Sequence, residues 1–356
     1  MNTKKILSVI FSVIMLMGVL SVAVFAAEDV SLADGLSALN AQFKKGEGPE
    51  VNGNTIDYRY YSPAGEDDTS KHPLVIWLHG MGEGSYEGKQ IEKNYIGYWT
   101  SAEFQSRFAP SEGAFIIAAR SPEEKLLFWD DCLIEPLRAA IDDFIAQHKD
   151  NIDLTRIYIA GFSMGGKMTL KMAVAYPEMF AAAVPICPAW APSESEIAYL
   201  ADMPIWLVSG VRDPIINYST AVVPTWNSIV AASNNPSALR FSTLEKTLYP
   251  DGSSTTSAHH AWFAVNNDMF SADNGDYPAM STVDGNGEAV TLVYPNGMIS
   301  WLSQFTSDYD GTPCEGTGNI VVESDSSIPL MSLFDTIKSI INKFIDLIKN
   351  FFSFMM

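Results

Sequence analysis

The sequence predicts an α/β fold with a mainly parallel sheet and helices on both faces. The first observation is a set of short runs that are apolar throughout, as in strands covered on both sides: Leu74–Leu78, Ala114–Ala118, Ile157–Ala160, Ala181–Ile186 and Ile205–Val208. The second is the helical spacing of apolar residues between several of these runs, clearest from Ile134 to His148. The third is Arg156–Gly166, where a strand pattern leads through a glycine-rich turn into a helix pattern. Strands and helices that alternate in this way assemble into a parallel sheet covered by helices.

Four further elements complete the expected main domain, residues 27–305: a short helix at 31–45, an antiparallel edge strand at 55–62, a strand at 239–248 and a closing helix at 298–305. An insertion rich in Asn, Asp and Gly, residues 266–297, falls before the closing helix. We expect one small strand within it, at Ala289–Tyr294.

The two ends of the chain carry segments of a different kind. Met1–Ala26 has two early lysines, a long apolar stretch and small or β-branched residues near its end, which is the pattern of a secretory signal peptide. Serine and glycine interrupt the stretch, so we expect cleavage rather than a retained anchor. A polar linker is predicted at 306–330, and an amphipathic helix at 331–356 would dock on the protein or a sister subunit, or lie on a membrane surface. The expected localisation is secreted or cell-surface associated.

Composition excludes some classes of partner. The chain has 356 residues and a formal net charge of −20, and so acidic a surface repels phosphate backbones, so no nucleic-acid binding is expected. Three cysteines do not make a disulfide framework, although one pair can form after export. The five histidines are not grouped with carboxylates at metal-ligand spacing, so we expect no structural metal and no cofactor.

Ser163 is the predicted nucleophile. It lies at the apex of a G-x-S-x-G turn between the strand pattern and the helix pattern. A serine in such a turn adopts a strained backbone conformation, and Gly161 and Gly165 leave space for it. Its hydroxyl needs a base within hydrogen-bond reach and a carboxylate that holds the base.

The acid and the base are predicted from their order along the chain, because on this kind of sheet the nucleophile, acid and histidine follow one another. Asp213 lies on the loop after the strand pattern that ends at Gly210, at the carboxyl edge where sites on open α/β sheets collect. Asp251 is the reserve candidate. Only His259 and His260 follow Asp213, so the base is one of these two.

Two backbone amides are predicted to stabilise the tetrahedral oxyanion. One is the amide of Met164, after the nucleophile at a helix N-terminus, and the other is the amide of Met81, in the glycine-rich turn after the first buried strand. Glu83 in the same turn is a candidate for bracing the loop or touching substrate. Three tryptophans on or near loops at this end are candidates for stacking on substrate or for simple packing: Trp129, Trp190 and Trp262.

Five motifs occur in order along the chain: HGMGE, GFSMGG, AAAVPIC, SGVRDPI and HHAW. Together they resemble the secreted bacterial esterase and predicted-peptidase branch of the α/β-hydrolase superfamily, which is similar to polyhydroxyalkanoate-depolymerase-like and feruloyl-esterase-like enzymes. The resemblance covers roughly Asn54 to Phe305 and implies the α/β-hydrolase fold. It implies Ser163 as nucleophile, Asp213 as acid and, because these proteins often show His-x-x-Trp, His259 as base.

The expected function is hydrolysis of carboxylic esters, on small molecules or polymers, through an acyl-enzyme. A secreted serine peptidase of the same fold is one alternative, because nothing in the sequence separates ester from amide cleavage. A catalytically inactive, surface-displayed binding protein is the other. The presence of all three triad residue types in order argues against it.

Overall fold

The computed structural model describes residues 36–63, 65, 69–111, 113–122, 129–248, 254–255, 258–266, 280–291 and 297–312. The predicted signal peptide at 1–26, the predicted helix at 331–356, the linker beyond residue 312 and Asp251 lie outside the described residues. Within the described ranges, no helix combines the length and apolar character needed to cross a membrane.

Eleven strands are described: β1 (Lys44–Glu47), β2 (Asp57–Tyr61), β3 (His72–Leu78), β4 (Phe115–Arg120), β5 (Ile152–Phe162), β6 (Ala182–Ile186), β7 (Trp206–Gly210), β8 (Arg240–Leu244), β9 (Thr247–Leu248), β10 (Ser254–Thr255) and β11 (Met280–Asp284). Nine of them form one sheet in the order β1-β2-β4-β3-β5-β6-β7-β8-β11, while β9 and β10 pair separately. The strands β3 to β8 run parallel to one another, whereas β1, β2 and β11 each pair antiparallel with their neighbours. This arrangement confirms the predicted α/β fold with a mainly parallel sheet.

Eight α-helices are described: α1 (Lys89–Glu92), α2 (Ala102–Gln105), α3 (Ile134–Gln147), α4 (Met164–Ala175), α5 (Glu194–Ile197), α6 (Val223–Ala232), α7 (Trp262–Asn266) and α8 (Met298–Leu302). Residues 36–40 are also helical. Shorter turns of 3₁₀ or π type are Ile96–Thr100, Asp131–Leu133, Ala198–Leu200, Tyr218–Val222, Pro236–Ala238 and Ala258–His260.

The sheet separates two apolar cores. Successive side chains of a strand point to opposite faces, and β3 shows this directly. Leu74, Ile76 and Leu78 join the core that includes residues of α3, α4 and α6, whereas Val75 and Trp77 join the core that includes residues of α1, α2, α7 and α8. All seven residues of β3 are buried, so the uninterrupted apolar run is explained by helices on both faces.

The outer strands differ from the prediction. The segment predicted at 55–62 forms β2, but it is not at the edge, because β1 pairs with it. β1 begins at Lys44, inside the segment predicted as a helix at 31–45. Its sequence, KKGE, is polar and mostly exposed, and Gly46 lies under the ring of Tyr58, where a Cβ would be 2.1 Å from the nearest ring carbon. Pairing with a distant strand therefore overrides a helix-like local pattern.

The insertion also contributes to the main sheet. Its strand is β11, which pairs antiparallel with β8. Of the predicted strand at 289–294 only residues 289–291 are described, and there Ala289 makes a single bridge to Val283. A buried hydrogen bond of 2.7 Å between the hydroxyls of Ser242 and Thr282 links β8 to β11. The closing helix is shorter than predicted, ending at Leu302 rather than 305.

Candidate active site

Ser163 lies in a sharp turn between β5 and α4. Its backbone has φ 56° and ψ −111°, a conformation that residues other than glycine rarely adopt. The turn has no room for side chains on either side: a Cβ on Gly165 would lie 2.0 Å from the carbonyl oxygen of Leu78, and one on Gly161 would lie 2.5 Å from the carbonyl oxygen of Gly165. The Ser163 N–H donates to the carbonyl of Ile186 at 2.8 Å, which fixes the turn on the neighbouring strand.

The structure brings Ser163, His259 and Asp213 together. His259 Nε2 is 3.2 Å from Ser163 Oγ, and His259 Nδ1 is 2.7 Å from Asp213 Oδ2. Asp213 lies on the loop after β7, and His259 lies in the turn Ala258–His260. Because a carboxylate can only accept from Nδ1, that nitrogen carries the proton and Nε2 is left to accept from the serine hydroxyl.

The carboxylate of Asp213 is held from two directions. Its Oδ1 accepts from the amides of Ile215 and Ile216 at 2.8 and 2.9 Å, while Oδ2 faces His259. The side chain is fully buried. Burial alone would raise the pKa of Asp213, but the hydrogen bond and charge of His259 and the two amides outweigh burial, so its pKa lies below the usual value. The group is therefore ionised at neutral pH.

His260, the other candidate base, has different neighbours. Its ring lies beside Trp262, with ring centroids 6.4 Å apart, and burial lowers its pKa below the usual histidine value. Of the two candidates, it is His259 whose ring lies between Ser163 and Asp213.

The two predicted oxyanion amides are those of Met164 and Met81. Met164 is the first residue of α4, directly after Ser163. Met81 lies in the turn after β3, with its side chain about half exposed. That turn is close to the serine, because a Cβ on Gly80 would lie 2.7 Å from the ring of Phe162. Among the described residues, neither amide has an assigned hydrogen bond, and their joint role stays a prediction.

Comparison with known proteins shows which proteins this chain is similar to. The family described as Phospholipase/Carboxylesterase matches residues 132–238, a stretch that contains Ser163 and Asp213. A solved structure described as a thermostable esterase is 25% identical with a TM-score of 0.54, and the match covers 64% of this chain and 61% of that one. This chain has the α/β-hydrolase fold. Its matches support the esterase branch that the sequence motifs resemble.

Two curated proteins also match this chain. "Putative esterase NocK" of Nocardia uniformis subsp. tsuyamanensis is 29% identical over 168 residues, which is 46% of this chain and 47% of the relative. The poly(3-hydroxybutyrate) depolymerase of Ralstonia pickettii is 28% identical over 145 residues, which is 37% of this chain and 28% of the relative. This chain thus spans less than half the length of the curated relatives it matches.

The three tryptophans predicted as candidates for stacking on substrate are all buried. Trp129 donates its Nε1–H to the carbonyl of His79 at 3.0 Å, and Trp190 packs under Lys171, whose Nζ is 4.0 Å from the ring centroid. Trp262 faces Phe162, the residue before Ser163, at a centroid distance of 6.2 Å. Each ring therefore has a packing partner, and contact with substrate stays a prediction.

The chain order and motifs did not identify Cys187 as a site residue. This buried residue follows β6 with φ 44°, and its Sγ lies within 4.8 Å of ligand atoms of both Asp213 and His259. Burial and then the negative charge of Asp213 raise the thiol pKa well above its usual value. A cysteine binds a metal as the thiolate, which the raised pKa disfavours here. Because His259 and Asp213 are also hydrogen-bonded to each other, these three residues fit a metal ion poorly. Its position at the carboxyl end of a parallel strand next to β7 is the signal that could have identified it.

Proposed function

We propose that this chain is an exported serine hydrolase that cleaves carboxylic esters through an acyl-enzyme. The observation that carries the proposal is the hydrogen-bonded row from Ser163 Oγ through His259 to Asp213, with distances of 3.2 and 2.7 Å. The names of the matching relatives favour an ester as the substrate.

In the proposed first step, Ser163 Oγ attacks the ester carbonyl carbon while its proton passes to His259 Nε2. Asp213 accepts a hydrogen bond from Nδ1 and stabilises the positive charge on the imidazole ring. The tetrahedral intermediate then collapses as the C–O bond to the alcohol breaks and His259 returns the proton to the leaving oxygen. Water then attacks the acyl-serine through the same two steps, with His259 taking its proton and returning it to Ser163 Oγ. The products are one carboxylic acid and one alcohol.

The amides of Met81 and Met164 are proposed to bind the negative oxygen of both tetrahedral intermediates. Loss of a single such donor typically costs roughly 3 to 4 kcal/mol of transition-state stabilisation. The pair is supported by position: Met164 follows the nucleophile, and the turn that contains Met81 packs beside Phe162 through Gly80.

The test compares wild type with Ser163→Ala, using a short p-nitrophenyl ester, the matching anilide and a fluorophosphonate probe. Ser195→Ala is the control, because Ser195 is an exposed serine in α5. We expect ester hydrolysis and probe labelling in wild type and control, and neither in Ser163→Ala. Labelling of Ser163→Ala, or no labelling of wild type, would refute the nucleophile assignment. Faster cleavage of the anilide than of the ester would favour the peptidase alternative.

Export and membrane-surface contact are separate parts of the proposal. We expect the exported protein to begin at residue 27, which intact mass measurement checks. Residues 331–356 are proposed to lie on anionic membrane surfaces. Flotation with anionic liposomes, before and after truncation at residue 327, tests this, and equal recovery of the two forms would refute it.

A further inference from the structure

A buried hydrogen-bond network joins the turn that contains Met81 to the helix that follows His259. Its centre is Asn94, which is fully buried. The side chain of Asn94 donates to Glu83 Oε2 at 3.0 Å and accepts from the indole N–H of Trp77 at 3.0 Å. Its main-chain carbonyl accepts from Asn266 Nδ2 at 2.6 Å, and Asn266 is the last residue of α7. The turn and the histidine-bearing segment are therefore attached to one asparagine.

Glu83 closes this turn onto itself. Its Oε2 accepts from the Gly80 N–H at 2.7 Å, and its own N–H donates to the Gly80 carbonyl at 3.2 Å. The same Gly80 carbonyl accepts from His79 Nδ1 at 2.7 Å. In a planar trans peptide the C=O and the following N–H point in opposite directions. Two donors that hold the Gly80 carbonyl therefore also fix the direction of the Met81 N–H.

The carboxyl group of Glu83 is buried, so its position calls for a structural or functional explanation. Burial raises its pKa above the usual glutamate value, although the hydrogen bonds from Asn94 and Gly80 and the charge of His259 oppose this effect. A buried carboxyl group is unfavourable unless hydrogen bonds satisfy it. One of these hydrogen bonds comes from the Gly80 N–H. The Gly80 N–H is therefore not available to bind the reacting oxygen in place of the Met81 N–H.

We propose that Glu83 is a positioning residue that, together with Asn94, fixes the Gly80–Met81 peptide so that the Met81 N–H faces the reacting oxygen. This inference rests on the proposed function. Both donors use the same oxygen, Oε2, so what the site requires is an acceptor at the right reach rather than a negative charge.

The variants Glu83→Gln, Glu83→Asp and Glu83→Ala separate these requirements. Glutamine keeps the acceptor and the length, aspartate keeps the charge but is one methylene shorter, and alanine removes both. A misplacement of about 1 Å in a catalytic site can cost roughly 100-fold in rate. We therefore expect kcat for a p-nitrophenyl ester to fall about 10- to 100-fold in the Ala and Asp variants. We expect Glu83→Gln to stay within about threefold of wild type, with KM changed little in all three.

Two further readouts separate positioning from a general loss of structure. The affinity of an alkyl trifluoromethyl ketone, whose adduct with the serine carries an oxyanion, should fall in parallel with kcat/KM, while the melting temperature of Glu83→Asp stays near that of wild type. Glu92→Ala is the matched control, because Glu92 is an exposed carboxylate in α1 that accepts from the Tyr86 hydroxyl. It should leave both readouts unchanged.

Hydrogen exchange at the Gly80 amide tests the brace without reference to catalysis. Exchange should be slow in wild type and Glu83→Gln and faster in Glu83→Ala. Wild-type protein that neither hydrolyses the ester nor labels at Ser163 would refute the proposed function alone, while the exchange result still decides the brace. Wild-type kcat in Glu83→Ala, a loss in Glu83→Gln as large as in Glu83→Ala, or equal Gly80 exchange in all variants would overturn this inference.

Discussion

Acidification is expected to destabilise the fold through His79. This histidine is almost completely buried, with its Nδ1–H donated to the Gly80 carbonyl at 2.7 Å and its Nε2 accepting from the Ser121 N–H at 3.2 Å. The ring can donate from Nδ1 in either protonation state, but only the neutral ring can accept at Nε2, so the bond from Ser121 requires the neutral form. Burial lowers the pKa of His79 to about 4, helped by the charges of Arg120 and Lys89 and opposed by the Gly80 carbonyl.

The magnitude follows from the difference between the two states. In the unfolded chain the ring binds a proton near its reference pKa of about 6.5, whereas the folded protein keeps it neutral down to about 4. Between these values the unfolded state binds more protons, so the free energy of unfolding falls as the pH falls. At roughly 1.4 kcal/mol per pH unit, lowering the pH from 6.5 to 4.5 removes about 2 to 3 kcal/mol. Above pH 6.5 this contribution is fully present.

Urea unfolding at pH 7.0 and pH 4.5 measures the effect in wild type and in His79→Gln, which cannot titrate. Carboxylates also titrate in this range, so the informative quantity is the difference between the two proteins. Wild type should lose about 2 to 3 kcal/mol more than His79→Gln on acidification. His148→Gln, at the end of α3, is the matched control for loss of a histidine as such. Equal losses in wild type and His79→Gln would show that burial does not keep this ring neutral.

Four other substitutions or reactions are predicted together. Asp213→Asn should lower kcat about 10⁴-fold with little change in melting temperature, because an amide does not hold the imidazole tautomer. Gly165→Ala should cost about 3 kcal/mol or more in denaturant unfolding, since its Cβ would meet the Leu78 carbonyl oxygen at 2.0 Å. Gly210→Ala should lower kcat more than stability, because its Cβ would lie 2.0 Å from that of Ala258, next to His259. Peptide mapping after alkylation of the native protein should find Cys132 modified and Cys187 unmodified, since Cys132 is exposed and Cys187 is buried.

The parallel strands could be predicted because each one is recognisable from its own run of apolar residues, without knowledge of the strand it pairs with. β3 is buried over its whole length, so the run Leu74–Leu78 is apolar at every position and differs from any helix or edge-strand pattern. β1 has no such signal. Its four residues are polar and become a strand only because Lys44 to Glu47 pair with Tyr60 to Asp57. Edge strands depend on contacts distant in sequence, and local patterns do not carry that information.

The candidate site divides in the same way. Ser163 is marked by a local motif, and Asp213 by its place after a strand. The geometric choice between His259 and His260 depends on which way each ring of a 3₁₀ turn faces: one lies between Ser163 and Asp213, the other beside Trp262. Asn94 lies in none of the five motifs, and Cys187 ends the AAAVPIC motif without being marked by it as a neighbour of Asp213 and His259, because these contacts arise from packing between distant segments.

The position of His259 depends on packing more than that of Ser163 does. The turn at Ser163 continues directly from β5 and is hydrogen-bonded to β6. The loop that carries Asp213 continues from β7 in the same way, and its Val211 N–H donates to the carbonyl of Leu244 in β8 at 2.9 Å. The turn Ala258–His260 does not continue directly from a strand of the main sheet. It is held against Gly210, where even a methyl group would overlap Ala258, and through α7 it is attached to Asn94. These two contacts add to the hydrogen bond from His259 to Asp213 in positioning the imidazole ring. Substitutions at Gly210 or in the Asn94 network should therefore affect the rate before they affect the fold.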